Sequence, residues 1–345
     1  MSNTLDRKAA NLYLGCGGAY CDLSKEQCNN VETVENGFVI NREVKNMKDI
    51  FEALVQEDGT IKKSAQDYNI RQGQTTKPIV EHQAPSVQVL HAVLRCSDHF
   101  MKVVVHMSAG VHIWTETKLS RSTPFLEAEK KKVQEAILKE TGIKWDFVDS
   151  SGQGGTTTTG NVARALLFEK QKRDIITNLI RNQSDREITE QFGYLLSTIL
   201  RVISSDKTTR IDQYKNICKD LNLLLLHEIP WASVTPTLHK VLAHSWELIE
   251  MNHQKGLKGL SEEGFEANNK RLRMYREKLS RKNNQISNLE DCFKRLWAGS
   301  DPLVCQQRAN GRPKCSVCQA IGHTKLSCPS NTNSNDSLLT NLFIE

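Results

Sequence analysis

The sequence predicts a mainly helical protein with a small zinc-binding tail, and three observations support this class. Threonine precedes proline at Thr123-Pro124 and Thr235-Pro236, where helices are expected to begin because threonine bonds an orphan amide and proline fits the first turn. Apolar residues recur at helical spacing through the middle of the chain. Near the C-terminus, three cysteines and a histidine occur at the spacing of a zinc knuckle.

The first well-defined helix is expected from Thr123 to Glu140, with Gly142 at the position where helices commonly end. One face of this helix is expected to be apolar, and its residues are Leu126, Val133, Ile137 and Leu138. Trp145 is expected to anchor the turn that follows the helix.

Three further segments continue the helical pattern. Residues 164–179 and 185–203 are amphipathic, and Ser184 with Glu187 predicts a capping box at the start of the second segment. Residues 211–229 contain four consecutive leucines, which we assign to the core and not to a membrane element.

Composition and charge set the broad class. The chain has 345 residues and a formal net charge of +6, with the basic excess at Lys270–Lys282, which favours a polyanionic partner. No run of eighteen apolar residues occurs, so no membrane span is expected. The N-terminus lacks the apolar core of a signal peptide, and the ten cysteines therefore favour metal ligation over disulfides. We expect an intracellular, nuclear protein.

The stretch from Thr235 to Arg276 combines residue types suited to metal and nucleic-acid chemistry. His239 and His244 are about 140° apart on a helix, so they are expected to share one metal only if the helix bends or ends between them. An acidic cluster and a basic run follow: Glu262, Glu263, Glu266, Lys270, Arg271, Arg273 and Arg276. A carboxylate beside a cationic helix face can hold a metal ion against a phosphodiester, although a solvated face is the alternative for such a run.

Two parts of this stretch, LHKVLAHSWELIE and SEEGFEANNKRLRMYR, resemble the end of the catalytic core of Transib transposases and of the V(D)J recombinase catalytic subunit. The resemblance implies that His239 and His244 are zinc ligands. It also implies that Glu266, in an E-x-x-N-K motif with Asn269 and Lys270, is the third carboxylate of a DDE triad on an RNase H-like fold. The alternative is that Glu266 is a solvated surface carboxylate, as most glutamates are.

The N-terminal residues match the family only in part. In the resemblance, Asp6, followed by Lys8, takes the place of an aspartate, and Cys21 takes the place of the first cysteine of a zinc-binding pair. The second cysteine is replaced by Ser24, so Cys16 or Cys28 would have to substitute for it through a different loop. A buried free cysteine is the alternative for each of them.

A Gly- and Thr-rich run at residues 150–167 ends in GNVARALL, which resembles a family segment that contacts DNA. The resemblance therefore makes Asn161 and Arg164 candidate DNA-binding residues. Exposed amides before a helix can also cradle phosphate, and a flexible linker is the alternative. The segment from Pro85 resembles the start of a helical insert, and we assign none of its histidines as a ligand.

The resemblance implies a partial RNase H-like core around a large helical insert, with three carboxylates that hold two Mg²⁺ or Mn²⁺ ions. The family's first aspartate would precede Met1, and only Asp6 and Glu266 match the other two. We therefore expect the chain alone neither to cleave nor to join DNA. An incomplete gene model, a decayed transposon copy and a co-opted fragment are equally compatible with this expectation.

The tail carries a compact metal motif formed by Cys315, Cys318, His323 and Cys328. Three thiolates and one imidazole form a closed tetrahedral shell suited to structural zinc, which must supply the folding energy of so short a segment. Such knuckles bind single-stranded nucleic acid or mediate protein contacts. We expect the residues after the knuckle to be disordered.

The chain is therefore divided into predicted segments: an RNase H-like remnant at 1–30, a helical insert at 31–230, the histidine pair and catalytic helix at 231–300, and the tail at 301–345. Three functions are compatible with them. The first is an inactive zinc- and DNA-binding fragment of a transposase or recombinase, with a second copy or a recombinase subunit as partner. The second is an active enzyme completed by an upstream or partner segment, and the third is a zinc-dependent protein-interaction module.

Overall fold

The computed structural model of the chain describes residues 87–113, 124–147, 158–261, 263–304, 306 and 337–344, with the backbone alone at 263–267, 337, 338 and 340. These residues form helices and no strand, which confirms the predicted mainly helical class. The helices are α1 Val89–Ala109, α2 Pro124–Thr141, α3 Gly160–Phe168, α4 Lys170–Thr177, α5 Gln183–Ile203, α6 Ile211–His227, α7 Pro236–Met251, α8 Glu263–Met274, α9 Gln285–Ser300 and α10 Ser337–Leu342. Within the described ranges, no helix has the length and apolar character needed to cross a membrane.

The chain divides after Ser261 into two compact units. The first unit comprises Met1–Ser261 with Leu338–Glu345, and the second comprises Glu262–Ser337. This division falls inside the predicted segment 231–300, so α7 with the histidine pair and α8 with Glu266 belong to different units.

The core of the first unit is built around α5. This helix packs against α1, α3, α4, α6 and α7. Phe192, in the middle of α5, is fully buried, and its ring centroid lies 5.9 Å from that of Phe100 on α1. Helix α1 is buried on most of its circumference, as expected for a central helix with apolar residues on several sides. The contact between α1 and α5 therefore organises the helical body.

A glycine permits the close approach of α3 to α1. A Cβ atom at Gly160 would lie 2.4 Å from the Cδ1 atom of Leu90, which is far closer than carbon atoms approach. A larger residue at this position would therefore require the Leu90 side chain to move.

The helix predicted from Thr123 to Glu140 is confirmed from Pro124 onwards as α2, and Thr123 lies outside the described residues. The helix ends at Gly142, which has a left-handed φ of 68°. Trp145 is buried beyond the helix, as expected of an anchor. Of the four residues assigned to the apolar face, three are buried, but Leu138 is 49% exposed. That assignment is wrong because Leu138 follows Ile137 and is turned about 100° away from it.

The single helix predicted at 164–179 is interrupted, because the backbone is extended at Glu169 between α3 and α4. The break leaves carbonyl groups at the end of α3 without helical donors. Arg173 satisfies two of these, since its Nη1 atom donates to the carbonyl oxygens of Leu167 at 2.6 Å and Phe168 at 3.1 Å. Arg201 of α5 also donates to the Phe168 carbonyl.

The predicted capping box at Ser184 and Glu187 is wrong. Helix α5 begins at Gln183, and its N-cap is Asn182, whose Oδ1 atom accepts from the backbone N–H of Asp185 at 3.1 Å. Asparagine is among the strongest N-caps, so it starts the helix two residues before Ser184. Glu187 then accepts from the Gln183 amide at 2.6 Å within the helix.

The four leucines of the predicted segment 211–229 lie on α6, but they are not all in the core. Leu224 and Leu225 are buried, whereas Leu223 is 36% exposed. Four consecutive helical residues span about 300° of the circumference, so they cannot all face one neighbour. Helix α6 therefore buries one side and leaves the other in contact with solvent.

The C-terminal residues pack on the first unit, so the prediction of disorder beyond the knuckle is wrong for residues 337–344. Leu342 is buried, and its carbonyl accepts from the backbone N–H of Arg210 at 2.8 Å. The N–H of Ile344 donates to the carbonyl of Thr208 at 3.0 Å. The end of the chain is thus tied to the loop before α6.

The stability of the first unit is expected to fall as the pH is lowered below 6.5. Burial, with a smaller contribution from the charge of Lys102, lowers the pKa of His99 from 6.5 to about 3. Between these two pH values the unfolded chain binds a proton at His99 that the folded chain does not. The neutral His99 therefore contributes its whole stabilisation above pH 6.5, and this contribution is lost as the pH falls towards 3. The free energy of unfolding should decrease by about 1.4 kcal/mol per pH unit for this group.

Denaturant unfolding at several pH values measures this dependence. His99→Phe keeps an aromatic ring against Phe192, with which His99 makes an edge contact at 6.0 Å. The plot of unfolding free energy against pH should be less steep in this variant, by up to the slope that corresponds to the uptake of one proton. An identical slope in both proteins would contradict the role of His99.

Candidate zinc and nucleic-acid sites

Helix α7 positions the histidine pair, and its start is the predicted one. Thr235 is the N-cap, its hydroxyl oxygen accepts from the backbone N–H of Leu238 at 3.3 Å, and Pro236 lies in the first turn. His239 and His244 are both buried. Burial alone does not single out this pair, because His99 and His106 of α1 are buried as well.

The two imidazole rings lie side by side although α7 continues through both residues. Their centroids are 5.3 Å apart, and the ring planes meet at 70°. Two imidazoles on one tetrahedral zinc, each with a Zn–N bond of 2.0–2.1 Å, would have centroids about 5 Å apart. The separation is compatible with a shared zinc, and α7 continues through both residues without ending between them.

Glu247 orients the second imidazole. Its Oε2 atom lies 3.2 Å from Nδ1 of His244, and the carboxylate is 12% exposed. A carboxylate on one ring nitrogen fixes the tautomer and makes the other nitrogen the one that binds metal, as in many zinc sites. A zinc ion on His244 would therefore be bound through Nε2.

A buried polar contact sets the rotation of α7. The Ser245 hydroxyl lies 2.7 Å from the hydroxyl of Tyr214 on α6, and Ser245 also donates to the carbonyl of Val241. Burial raises the pKa of Tyr214 well above its usual value, so this phenol stays protonated and able to donate. Because Ser245 follows His244, this contact holds the histidine in place against the core.

The other predicted zinc ligands lie outside the described residues. Within those residues, no group of three or more histidine, cysteine, aspartate or glutamate side chains is arranged to hold a metal. Cys21 and Asp6 lie outside them, and so do all four predicted knuckle ligands: Cys315, Cys318, His323 and Cys328. The structure therefore brings together two of the predicted zinc ligands, His239 and His244.

Helix α8 carries Glu266 and three of the predicted nucleic-acid-binding residues on one side. Asn269, Lys270 and Arg273 are exposed, and Glu266 lies on the same helix, described by its backbone. Helical geometry places the four positions within about 100° of the circumference. The E-x-x-N-K motif and Arg273 thus share one surface strip.

Arg271 lies on the other side of α8. It is exposed, but its position is turned about 140° from Glu266 and about 160° from Arg273. A single nucleic-acid strand lying along the Glu266 strip would therefore contact Arg273 and not Arg271. The residues of the predicted basic run therefore lie on two different sides of α8.

A short π-helical turn at Tyr275–Leu279 follows α8 and carries Arg276. The side chain of Arg276 is exposed, and its carbonyl accepts from the Ser280 hydroxyl at 2.9 Å and the Asn288 amide at 3.3 Å. These bonds fix the backbone where α8 turns towards α9. Arg276 is three residues beyond Arg273 and so extends the cationic side of α8.

Two cations of the basic run bond to residues of the second unit itself. The guanidinium of Arg281 donates to both carboxylate oxygens of Asp291, each at 3.0 Å, and lowers the pKa of that carboxyl to about 2. Lys282 contacts the Arg276 carbonyl. These two residues therefore support the turn, and the phosphate-binding candidates are the residues before it.

The predicted pair on α3 lies in the first unit. Asn161 is exposed in the first turn, Arg164 is partly buried, and the Thr159 side chain caps the helix by accepting from the backbone N–H of Val162 at 3.4 Å. The helix start is thus ordered by its own cap. These residues and those of α8 belong to separate units.

Sequence reasoning missed Glu247 and the pair of Tyr214 with Ser245. The signal for Glu247 was available, since a carboxylate three residues after a helical histidine lies on the same side of the helix. The contact between Tyr214 and Ser245 joins positions 31 residues apart and depends on how α6 packs on α7.

A comparison with models of known protein families gives no match to this chain. A comparison with characterised proteins gives no significant match either.

Proposed function

We propose that the chain is a zinc- and DNA-binding protein related to DDE transposases and recombinases. The observation that carries this proposal is the buried imidazole pair on α7, with its ring separation of 5.3 Å and a carboxylate on the second ring. The proposed function of the chain is to present the cationic side of α8 to nucleic acid, while zinc stabilises the fold.

The proposed zinc is structural. His239 and His244 would supply two ligands, and Cys21 with a further cysteine would supply thiolates, as the resemblance implies. Such an ion cross-links segments more than 200 residues apart in sequence, and linking distant segments restricts the unfolded chain strongly. The knuckle formed by Cys315, Cys318, His323 and Cys328 would hold a second zinc.

The proposed DNA contact is electrostatic. Lys270, Arg273 and Arg276 are exposed along one side of α8 and its π turn, and cations in a row neutralise successive phosphates irrespective of sequence. Residues Asn161 and Arg164 would add contacts from the first unit. A nuclear location follows from DNA as the partner.

The resemblance also supplies the part of the proposal that concerns catalysis. Glu266 shares the strip with Lys270 and Arg273, so a divalent ion bound there would lie beside a bound phosphate. Mg²⁺ or Mn²⁺ would supply charge stabilisation at the phosphodiester, and Asp6 would be its second protein ligand on an RNase H-like core. An active enzyme completed by another segment is therefore the alternative to a DNA-binding protein.

The purified full-length chain is expected to contain about two zinc ions. Replacement of His239 and His244 by alanine should remove one of them, because two ligands of a four-coordinate site are lost. Elemental analysis measures the content. A chelator should lower the melting temperature of the unmodified chain by several degrees more than that of this variant, since a metal bound only to the folded state stabilises it.

His227→Ala is the matched control, because His227 is exposed at the end of α6. It should leave both zinc ions in place. Cys315→Ser with Cys318→Ser should remove the other zinc without affecting the α7 site. A zinc content that does not change when both α7 histidines are replaced would overturn the proposed site.

A further inference from the structure

The C-terminal segment, residues 339–344, lies on the first unit as a turn of helix followed by an extended end. Helix α10 places Leu339 and Leu342 three residues apart on one face, and both are buried in the apolar core of the first unit. Phe343 packs against the same core, and the Nζ atom of Lys207 lies 5.1 Å from its ring centroid. Three apolar side chains therefore anchor the C-terminal segment.

The backbone of the C-terminal segment is bonded to an edge segment, which consists of residues 207–210. The carbonyl of Leu342 accepts from the backbone N–H of Arg210 at 2.8 Å. The backbone N–H of Ile344 donates to the carbonyl of Thr208 at 3.0 Å, and an antiparallel bridge lies between these two bonds. The C-terminal segment is thus held as a peptide is held at the edge of a sheet, through main-chain bonds.

The other side of the edge segment is bonded to the turn that follows α7. The backbone N–H of Thr209 donates to the carbonyl of Gln254 at 2.8 Å, and the N–H of Gly256 donates to the carbonyl of Lys207 at 3.2 Å. Successive residues of the edge segment therefore bond to opposite sides, as in a strand between two neighbours. Because the turn after α7 holds one side, the edge segment is expected to stay extended when the C-terminal segment leaves the other.

We propose that the C-terminal segment occupies a peptide-binding site of the first unit, and that this site accepts a segment of a partner protein with the same chemistry. Such a partner segment carries two leucines three residues apart on a turn of helix, then an aromatic residue, and continues as an extended strand. Its leucines would take the positions of Leu339 and Leu342, and its strand would bond to Thr208 and Arg210. This interaction goes beyond the proposed binding of zinc and DNA and does not depend on it.

The C-terminal segment is suited to exchange with such a partner. The chain returns to the first unit at Leu338, after the second unit, so the segment is a short addition to a body that precedes it in sequence. Three apolar side chains and two main-chain bonds correspond to micromolar affinity for a free peptide. The covalent connection raises the local concentration of the segment, so it fills the site until a partner competes for it.

The charges beside the site favour a partner segment with an acidic end. Lys207 and Arg210 are both exposed on the edge segment. The neighbouring carboxylate, Asp206, lies 3.8 Å from the Nζ atom of Lys258. Glu345 follows the C-terminal segment in the sequence, and a carboxylate at the same position of a partner would approach the two cations and speed its association at low salt.

Fluorescence anisotropy with a labelled synthetic peptide of residues 337–345 tests the site on the full-length chain. The Leu342→Asp variant should bind this peptide with a micromolar dissociation constant, because a carboxylate at the buried position prevents its own C-terminal segment from docking. The unmodified chain should bind the peptide about tenfold more weakly, since its own segment competes. A peptide with the same Leu342→Asp change is the matched control and should bind to neither protein.

A backbone substitution tests the main-chain contact. Arg210→Pro, added to the Leu342→Asp chain, removes the N–H that bonds to the C-terminal segment, and the φ of −76° at this residue fits proline. Peptide binding should weaken several-fold. Arg210→Ala in the same chain keeps the N–H and should have a smaller effect.

Hydrogen exchange of the unmodified chain, measured by mass spectrometry, tests the competition without a substitution. Saturating isotope-labelled peptide should accelerate exchange at the Ile344 amide, which is bonded to Thr208 while the C-terminal segment is docked. Unaltered exchange, or a folded Leu342→Asp chain that does not bind the peptide, would overturn the proposal. So would a dimer of the unmodified chain that Leu342→Asp converts to a monomer, because the docked segment would then come from a second copy.

Discussion

Replacing Arg273 and Arg276 with alanine is expected to weaken the binding of duplex DNA by on the order of 50-fold at about 0.1 M salt. Each side chain is exposed on the cationic side of α8 or its π turn and is proposed to neutralise one phosphate. The slope of log K against log salt should therefore decrease by about two units. Fluorescence anisotropy with unrelated duplex sequences, repeated over a salt series, measures both quantities. The loss should be the same for every sequence.

Arg271→Ala is the matched control for this prediction. It removes the same charge from the same helix, but on the side turned about 160° away from Arg273. Its salt slope should change by much less than one unit. If Arg271→Ala weakened binding as much as Arg273→Ala, the one-sided interface would be wrong. An unchanged slope in the double variant would mean that these arginines are only a solvated surface.

Phe192→Ala is expected to cause the largest loss of stability, about 3–5 kcal/mol. The ring is fully buried in the middle of α5 and packs against Phe100, so its removal leaves a cavity between two central helices. The melting temperature of the first unit should fall by roughly 10 °C. Because α5 also packs on α7, the histidine pair should lose rigidity in the same variant.

Phe125→Ala is the comparison for this change, because the same side chain is removed from an exposed position on α2. Its effect on unfolding free energy should stay within about 0.5 kcal/mol. Denaturant unfolding followed by circular dichroism measures both variants. Equal losses in the two variants would contradict the assignment of α1 and α5 as the centre of the core.

Local signals predicted the parts of the fold that depend on neighbouring residues. The start of α7 at Thr235 is confirmed, α2 begins at the predicted Pro124, and the end of α2 at Gly142 is confirmed. Each of these is decided by a cap or a backbone angle that a few residues determine. The same reasoning failed at α5, where Asn182 and Ser184 are both suitable caps and sequence alone did not separate them.

Features that depend on distant partners could not be predicted. No glycine or proline marks the break at Glu169, and the carbonyls that it leaves are bonded by Arg173 and by Arg201, which is 33 residues away from Phe168. The packing of α9 against the π turn after α8 could not be predicted for the same reason. Periodicity identifies α9 as amphipathic, but it does not reveal that the polar side is the one that packs against the turn.

The candidate zinc site was predicted in part. The residues His239 and His244 come from the resemblance, whereas helical geometry suggested that they point in different directions. The structure brings the rings together because each imidazole extends from the helix and both can turn towards the same point. The orienting role of Glu247 depends on a specific side-chain contact that the sequence permits but does not require.

X-ray absorption at the zinc edge, on the full-length Cys315→Ser and Cys318→Ser variant, tests the central claim most directly. With the knuckle disabled, the remaining zinc should show two imidazole nitrogens at about 2.0–2.1 Å and thiolate sulfur at about 2.3 Å. The imidazole signal should disappear together with the zinc when His239 and His244 are also replaced. A variant that binds no zinc, or one whose zinc shows no imidazole ligands, would contradict a metal site on α7.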